Sequence, residues 1–161
     1  MRRLLAAAAL WVLAGELCQA AGTVTCSVSA TGLAFGIYDP LSASPTLSTA
    51  LVTMTCTLVI GGASFVTPVS SYSTGSSGTN ALRTMLFGTT ALNYNFYLDA
   101  GMTQPAGDGR NGSVTGGGTT LHRRPPGFSG QVQDTLYGRI PAGQAVTDGA
   151  YLDTIIVTVN Y

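Results

Sequence analysis

The sequence predicts an all-β fold, an antiparallel β-sandwich. Apolar residues alternate with polar ones in short segments, and turn-forming glycine and proline separate these segments. Beyond residue 20, no window carries an apolar stripe at helical spacing. Short alternating strands separated by such turns are typical of two packed antiparallel sheets. The chain has no internal repeat or interdomain linker, so we expect one domain over residues 21–161.

Residues 1–20 have the layout of a secretory signal peptide. Arg2 and Arg3 precede an apolar run that begins at Leu4, and Ala20 supplies a small residue for cleavage. The run is too short to span a bilayer, although an uncleaved N-terminal anchor is an alternative. We therefore expect an exported mature chain over residues 21–161, with no further membrane span.

The alternating segments predict eight strands in chain order. They are residues 24–28, 33–37, 51–60, 64–72, 82–87, 92–99, 132–140 and 155–161. In the segment 64–72, Pro68 indicates an edge or a bulge, because proline cannot donate a ladder hydrogen bond. The segment 92–99 places Leu92, Tyr94, Phe96 and Leu98 on one face and Asn93, Asn95, Tyr97 and Asp99 on the other.

Charge and cysteine content exclude several kinds of partner. Beyond residue 20 the chain has five arginines and six aspartates, so it has no basic surplus that would recruit nucleic acid or an anionic membrane. In an exported chain Cys26 and Cys56 most simply form one disulfide, which would tie the first predicted strand to the third. Such a loop stabilises a fold by about 3–4 kcal/mol. Together with His122, these cysteines are too few for a closed zinc site.

The sequence contains no convincing catalytic or cofactor motif. Residues 107–112, "GDGRNG", match the dinucleotide-binding glycine pattern, but "SVTGGGTT" follows them and cannot begin the helix that the motif needs. His122 is the only histidine, and no G-x-S-x-G elbow exists. We therefore expect a protein that is not an enzyme and binds no cofactor. A carbohydrate-binding module or a small hydrolase is the competing class.

Several stretches together resemble the spore coat protein U domain family, the subunits of archaic chaperone–usher pili. They are "CSVSATGLAFGIYDP", "VTMTC", "LRTMLFG", "LNYNFYLDA", the "GDG" at residues 107–109, "LYGRIPAGQ" and "YLDTIIVTVNY". Each stretch is weak alone, whereas their order and spacing are specific. One departure is Ala106, which stands where many relatives carry a tryptophan before "GDG".

The resemblance implies an incomplete immunoglobulin-like sandwich that lacks its final strand. By this resemblance, a periplasmic chaperone lends a strand beside the C-terminal strand, and the N-terminal extension of another pilin subunit later replaces it. An outer-membrane usher is a further implied partner. Alternation predicts that Ile155, Val157, Val159 and Tyr161 face the core and form this interface, with Ile156, Thr158 and Asn160 on the opposite face. The alternatives are a complete sandwich whose last strand is central, and a spore or cell-surface coat protein.

The loop at residues 122–130, "HRRPPGFSG", is the best candidate for a surface contact. Arg123 and Arg124 could act as polar anchors and Phe128 as an apolar one. The alternative is that this loop merely connects two strands, since most surface loops bind nothing.

We predict that this subunit accepts a donor strand but does not donate one, as a terminal or tip subunit would. After cleavage at Ala20, five residues precede Cys26, and they span at most about 17 Å. A donor peptide from a polymerising relative should release the chaperone and give a monomeric complex. Detergent-resistant ladders of this chain alone would contradict the prediction.

Overall fold

The computed structural model describes residues 24–58, 64–123 and 128–161, and it confirms the predicted all-β class. The predicted signal peptide lies outside the described residues. The strands are β1 (Val24–Ala30), β2 (Thr46–Leu58), β3 (Phe65–Val66), β4 (Val69–Tyr72), β5 (Arg83–Phe87), β6 (Thr90–Tyr97), β7 (Gly116–Gly117), β8 (Leu121–His122), β9 (Phe128–Ile140) and β10 (Val157–Asn160). A 3₁₀ turn at Gly75–Ser77 is the single helical element of the described part.

The strands form a five-stranded and a three-stranded sheet, and a separate pair. The larger sheet has the order β1-β2-β9-β6-β5, the smaller one has the order β10-β4-β7, and β3 pairs with β8. All strand pairs within these sheets are antiparallel. The single strand predicted over residues 64–72 is wrong, because Pro68 separates it into β3 and β4, which belong to different sheets. The Pro68 carbonyl accepts a hydrogen bond from the Gly118 N–H at 2.8 Å.

The pair of β2 and β9 is the centre of the larger sheet. Thirteen residues of each strand are in register, from Thr46 opposite Ile140 to Leu58 opposite Phe128. Alternation turns one face inward, where Val52 and Met54 are buried together with Val132 and Leu136 of β9. The outer face carries threonines and glutamines, so the hydrophobic core lies on one side of this sheet.

A disulfide joins Cys26 and Cys56, with an S–S distance of 2.04 Å. The two cysteines lie directly opposite each other in the β1–β2 ladder. The sequence predicted that this bond would tie the first strand to the third. That prediction was wrong, because the bond joins β1 and β2, which are the first two strands of the chain.

The predicted strand at residues 33–37 is not a strand. The chain continues past β1 along β2, but Gly36 has a φ of 72°, which an extended strand cannot accommodate. The Ser48 hydroxyl donates to the Ala34 carbonyl at 2.9 Å. Leu33 and Phe35 pack over Gly138, where a Cβ would collide with both of them. This segment, residues 31–38, therefore contributes to the core through its side chains without belonging to a sheet.

Arg83, at the start of β5, is fully buried, with 0% of its surface exposed. Its guanidinium donates five hydrogen bonds to neutral oxygens. These run from Nε and Nη2 to Ser73 O (3.2 and 2.9 Å), from Nη1 to Asn95 Oδ1 (2.8 Å), and from Nη2 to Asn80 Oδ1 (2.7 Å) and Ala106 O (2.8 Å). The guanidinium carbon also lies 4.0 Å from the centre of the Phe96 ring. Burial lowers the pKa of Arg83 to about 10.

We predict that Arg83→Met lowers the free energy of unfolding by about 3 kcal/mol or more, because it leaves several buried oxygens without a donor. Arg139→Met is the matched control, since Arg139 is exposed on the outer face of β9 and its loss should cost no more than about 0.5 kcal/mol. Urea denaturation of the disulfide-bonded chain measures both. Equal losses would show that the buried guanidinium does not hold the fold.

Candidate functional site

The outer edge of β10 is open within the described residues, since β10 pairs with β4 alone. The Ile156 carbonyl accepts from the Ser73 N–H at 3.0 Å, and the Ile156 N–H donates to the Ser73 hydroxyl at 2.9 Å. Backbone groups of successive residues point to opposite edges of a strand. The N–H and carbonyl groups of Ile155, Val157 and Val159 therefore point toward the open edge.

Side chains of the C-terminal segment alternate largely as predicted. Ile155, Val157 and Val159 are half-buried, and the first two pack against the core. On the opposite face Ile156 is 65% exposed, and Thr158 and Asn160 are also exposed. Tyr161 was expected to face the core, but it is 58% exposed because the ladder with β4 ends at Asn160.

The opposing edge belongs to β1, which is the outermost strand of the larger sheet. Val28 pairs with the buried Met54 and therefore points inward, yet 42% of its surface is exposed. Cα atoms of β1 and β10 approach within 8 Å, although no ladder joins these two strands. The two sheets thus leave inward-facing apolar side chains uncovered between these edges.

A groove of ≈ 330 Å³ lies between the two edges. We call it the edge groove. Its walls are Ala30–Leu33 and, from the C-terminal segment, Leu152, Asp153, Ile155 and Val157. Its floor contains aromatic and aliphatic core side chains. A second cavity of ≈ 400 Å³ adjoins it and shares Leu33, Phe35 and Met85. The apolar surface therefore extends beyond the length of β10.

Two buried tyrosines supply polar groups beneath the groove. The Tyr94 hydroxyl donates to Asp153 Oδ2 at 2.7 Å, and the Tyr72 hydroxyl donates to Asp134 Oδ2 at 2.9 Å. Burial raises the pKa of both tyrosines, because it disfavours the tyrosinate. For Tyr94, the hydrogen bond to Asp153 and the charge of that carboxylate raise the pKa further, while Arg83 partly opposes them.

Asp134 lies inside the fold on β9 and is hydrogen-bonded on both oxygens. Its Oδ2 accepts from the Ser70 hydroxyl at 2.6 Å as well as from Tyr72, and its Oδ1 accepts from the Gly117 N–H at 2.7 Å. Gly116 is needed beside it, because a Cβ there would collide with this carboxylate. The network joins β4, β7 and β9 and so connects the two sheets.

The predicted contact loop is only partly described. Arg123 is exposed, and its N–H donates to the Ser64 carbonyl at 2.8 Å. Arg124 and the side chain of Phe128 lie outside the described residues. His122 pairs with Phe65 at the end of the β3–β8 ladder, with ring centres 6.4 Å apart. A joint contact surface of Arg123, Arg124 and Phe128 therefore stays a prediction.

Within the part of the chain that the structure describes, no three His, Cys, Asp or Glu side chains cluster in a way that could hold a metal ion. No helix in residues 24–58, 64–123 or 128–161 has the length and apolar character needed to cross a bilayer.

Two features of the site were missed by sequence reasoning. The Arg83 network was not foreseen, and neither was Asp153 in the wall of the groove. A signal existed for Asp153, since it has the same parity as Ile155 and Val157 and therefore belongs to the inward row of the segment.

An antiparallel two-sheet sandwich with an open groove between two edge strands is an incomplete immunoglobulin-like fold. The chain belongs to the Spore Coat Protein U domain family, whose profile matches residues 15–158. No curated protein sequence matches it significantly.

A solved structure has the same fold. It is the CsuC–CsuE chaperone–tip adhesion subunit pre-assembly complex from the archaic chaperone-usher Csu pili of Acinetobacter baumannii. The match has a TM-score of 0.52 and 19% sequence identity, and it covers 86% of this chain. This chain spans 40% of the length of the matched chain.

We predict that the buried tyrosines make the fold sensitive to alkali. A group whose pKa is raised by folding stabilises the fold below its unfolded pKa of about 10, and this contribution is lost as the pH rises above that value. Each such tyrosine lowers the free energy of unfolding by about 1 kcal/mol as the pH rises from 10 to 11. Arg83, whose pKa is lowered, contributes with the opposite sign over the same range.

The measurement is the free energy of unfolding at pH 10 and 11. Between pH 10 and pH 11, the free energy of unfolding should fall by about 1 kcal/mol less in Tyr94→Phe than in the unmodified chain. Arg83 is present in both proteins, so its contribution cancels. Tyr161→Phe, which alters an exposed side chain, should leave the loss unchanged. An equal loss in the chain with and without Tyr94 would contradict the prediction.

Proposed function

We propose that this chain is a secreted structural subunit of an archaic chaperone–usher pilus, and that its edge groove accepts a β-strand from a partner. The observation that carries the proposal is the C-terminal segment, residues 155–159. Its backbone groups at Ile155, Val157 and Val159 point to the open edge, while the same three side chains point to the core.

Strand addition requires both of these features. Main-chain hydrogen bonds along an open edge supply affinity, and pockets for alternate side chains supply specificity. A strand that buries four large apolar side chains in the groove would gain about 6–12 kcal/mol. Domain stability is typically about 5–15 kcal/mol, so the added strand would contribute as much as the rest of the fold.

The proposed partners are a periplasmic chaperone, an outer-membrane usher and other pilin subunits. Family membership supports this, and the structure with the same fold is named as a chaperone–tip subunit complex. The Cys26–Cys56 disulfide favours an oxidising compartment. We propose that residues 1–20 direct export, so that the chain passes through the periplasm to a surface fibre. Its place at a fibre end is a finer proposal, which the donor-peptide experiment tests.

We predict that Val159→Pro abolishes capture by the chaperone while the domain still folds. The substitution removes an N–H that points to the open edge and puts a ring where an added strand would lie, but it leaves the ladder with β4 intact. The yield of the 1:1 periplasmic complex should fall at least about tenfold, which corresponds to about 1.4 kcal/mol.

Val159→Ala is the matched control, because it removes side-chain volume and keeps the N–H. Its complex should persist at more than half the original yield. Near-ultraviolet circular dichroism of the purified variants reports whether each one folds. If both folded variants are captured equally well, strand addition at β10 is not how the chaperone binds.

A further inference from the structure

Asp153 is the one charged side chain among the described residues that line the edge groove. Its neighbours in the inward row, Ile155 and Val157, are apolar, and so is most of the floor. A carboxylate in such a place is costly once water is removed from it, unless hydrogen-bond donors surround it.

The structure fixes this carboxylate in position. Oδ1 accepts from the Ser76 N–H at 2.9 Å, the Ser76 hydroxyl at 2.8 Å and the Thr154 N–H at 2.9 Å. Gly75, with a φ of 62°, lies so close that a Cβ there would collide with the carboxylate. These contacts keep the Asp153 side chain in the wall of the groove.

The other oxygen is less well satisfied. Within the described residues, Oδ2 accepts one hydrogen bond, from the Tyr94 hydroxyl at 2.7 Å. Arg83 is the nearest buried cation in the network, but it gives its hydrogen bonds to Ser73, Asn80, Asn95 and Ala106. A carboxylate oxygen can accept more than one hydrogen bond, so Oδ2 keeps acceptor capacity, and Asp153 lines the groove into which a donor would enter.

An added strand would cover Asp153 as well as its apolar neighbours. An apolar side chain opposite Asp153 would remove water and give nothing in return. A second carboxylate there would add repulsion between like charges. A hydroxyl or an ammonium would instead form a charge-assisted hydrogen bond to Oδ2, which is among the stronger hydrogen bonds in proteins.

Building on the proposed function, we propose that Asp153 fixes the register of the accepted strand. It selects a strand whose inward row is apolar except at one position, where a side chain donates a hydrogen bond. A shift of register by one pocket would place that side chain among apolar residues and an apolar one against Asp153. The carboxylate therefore discriminates both between strands and between registers of one strand.

The test supplies the strand in cis. The full chain is extended past Tyr161 by a short Gly/Asn linker and a ten-residue strand, which reaches about 33 Å. Valine occupies its inward positions and threonine its outward ones. Each inward valine is then changed in turn to Ser, Lys or Glu, and the melting temperature of every extended chain is measured by circular dichroism.

We expect Ser to lower the melting temperature at every inward position but one. At that single position Ser and Lys should raise it by about 4–8 °C relative to Val, and Glu should lower it. In an Asp153→Leu background the preference at that position should revert to Val. Thr154→Leu, the same substitution at the exposed neighbouring residue, should keep the preference for Ser and Lys.

Asp153→Asn covers the case in which Asp153→Leu does not fold. Asparagine keeps an acceptor oxygen but loses the charge. The increase in melting temperature produced by Lys should therefore shrink, while the increase produced by Ser persists. One outcome would contradict the role of Asp153 alone: the valine strand stabilises the chain, but Ser or Lys is preferred at no inward position. The proposal that the groove accepts a strand would then still hold. If no extension stabilises the chain beyond a proline-interrupted strand, both proposals fail.

Discussion

The buried guanidinium of Arg83 is the interaction on which the arrangement of the two sheets depends. A buried guanidinium must be surrounded by acceptor oxygens, and its N–H groups donate to them only in the plane of the group. Ser73 follows β4 in the smaller sheet, Asn95 belongs to β6 in the larger one, and Ala106 lies in the connection after β6. The chain around residues 73–82 and 104–107 must therefore fold back onto β5. The Tyr72 N–H, which donates to the Gly107 carbonyl at 3.1 Å, extends the same junction.

The opposite end of the larger sheet is held by a different device. The Cys26–Cys56 disulfide fixes β1 to β2, but it makes no bond to the smaller sheet. Between these two fixed regions, β10 is tied to β4 on one side, and within the described residues no ladder ties it to β1. These attachments therefore lie on both flanks of the edge groove, where the proposed acceptance of a strand needs a stable frame. The Asp134 network adds to this by fixing the spacing of β4 and β9 beneath the groove.

Alternation of apolar and polar residues was enough to predict the strands β1, β2, β6, β9 and β10. It also predicted that Ile155 and Val157 point inward. Burial on one face of a strand leaves this signal in the sequence. The signal failed at residues 33–37, where the side chains alternate but Gly36 prevents a strand. It also gave no warning that Asn95, on the face opposite Tyr94 and Phe96, is buried. That burial results from Arg83, whose partners lie between 3 and 23 residues away along the chain. Local patterns do not carry such a contact, and neither do they indicate which of two sheet edges stays open.

Asp153 also bears on why the open edge does not collect unintended strands. An exposed edge with apolar side chains is a template for aggregation, and an inward-pointing charge is one of the ways in which proteins protect such an edge. Asp153 stands at the start of the inward row that continues with Ile155 and Val157, and its contacts with Ser76 and Gly75 prevent it from turning away. An added strand with only apolar inward side chains would bury this carboxylate without a new hydrogen-bond donor. A strand with a donor at the matching position would bury it with one. The same residue that sets the register would therefore protect the groove until its proper partner arrives.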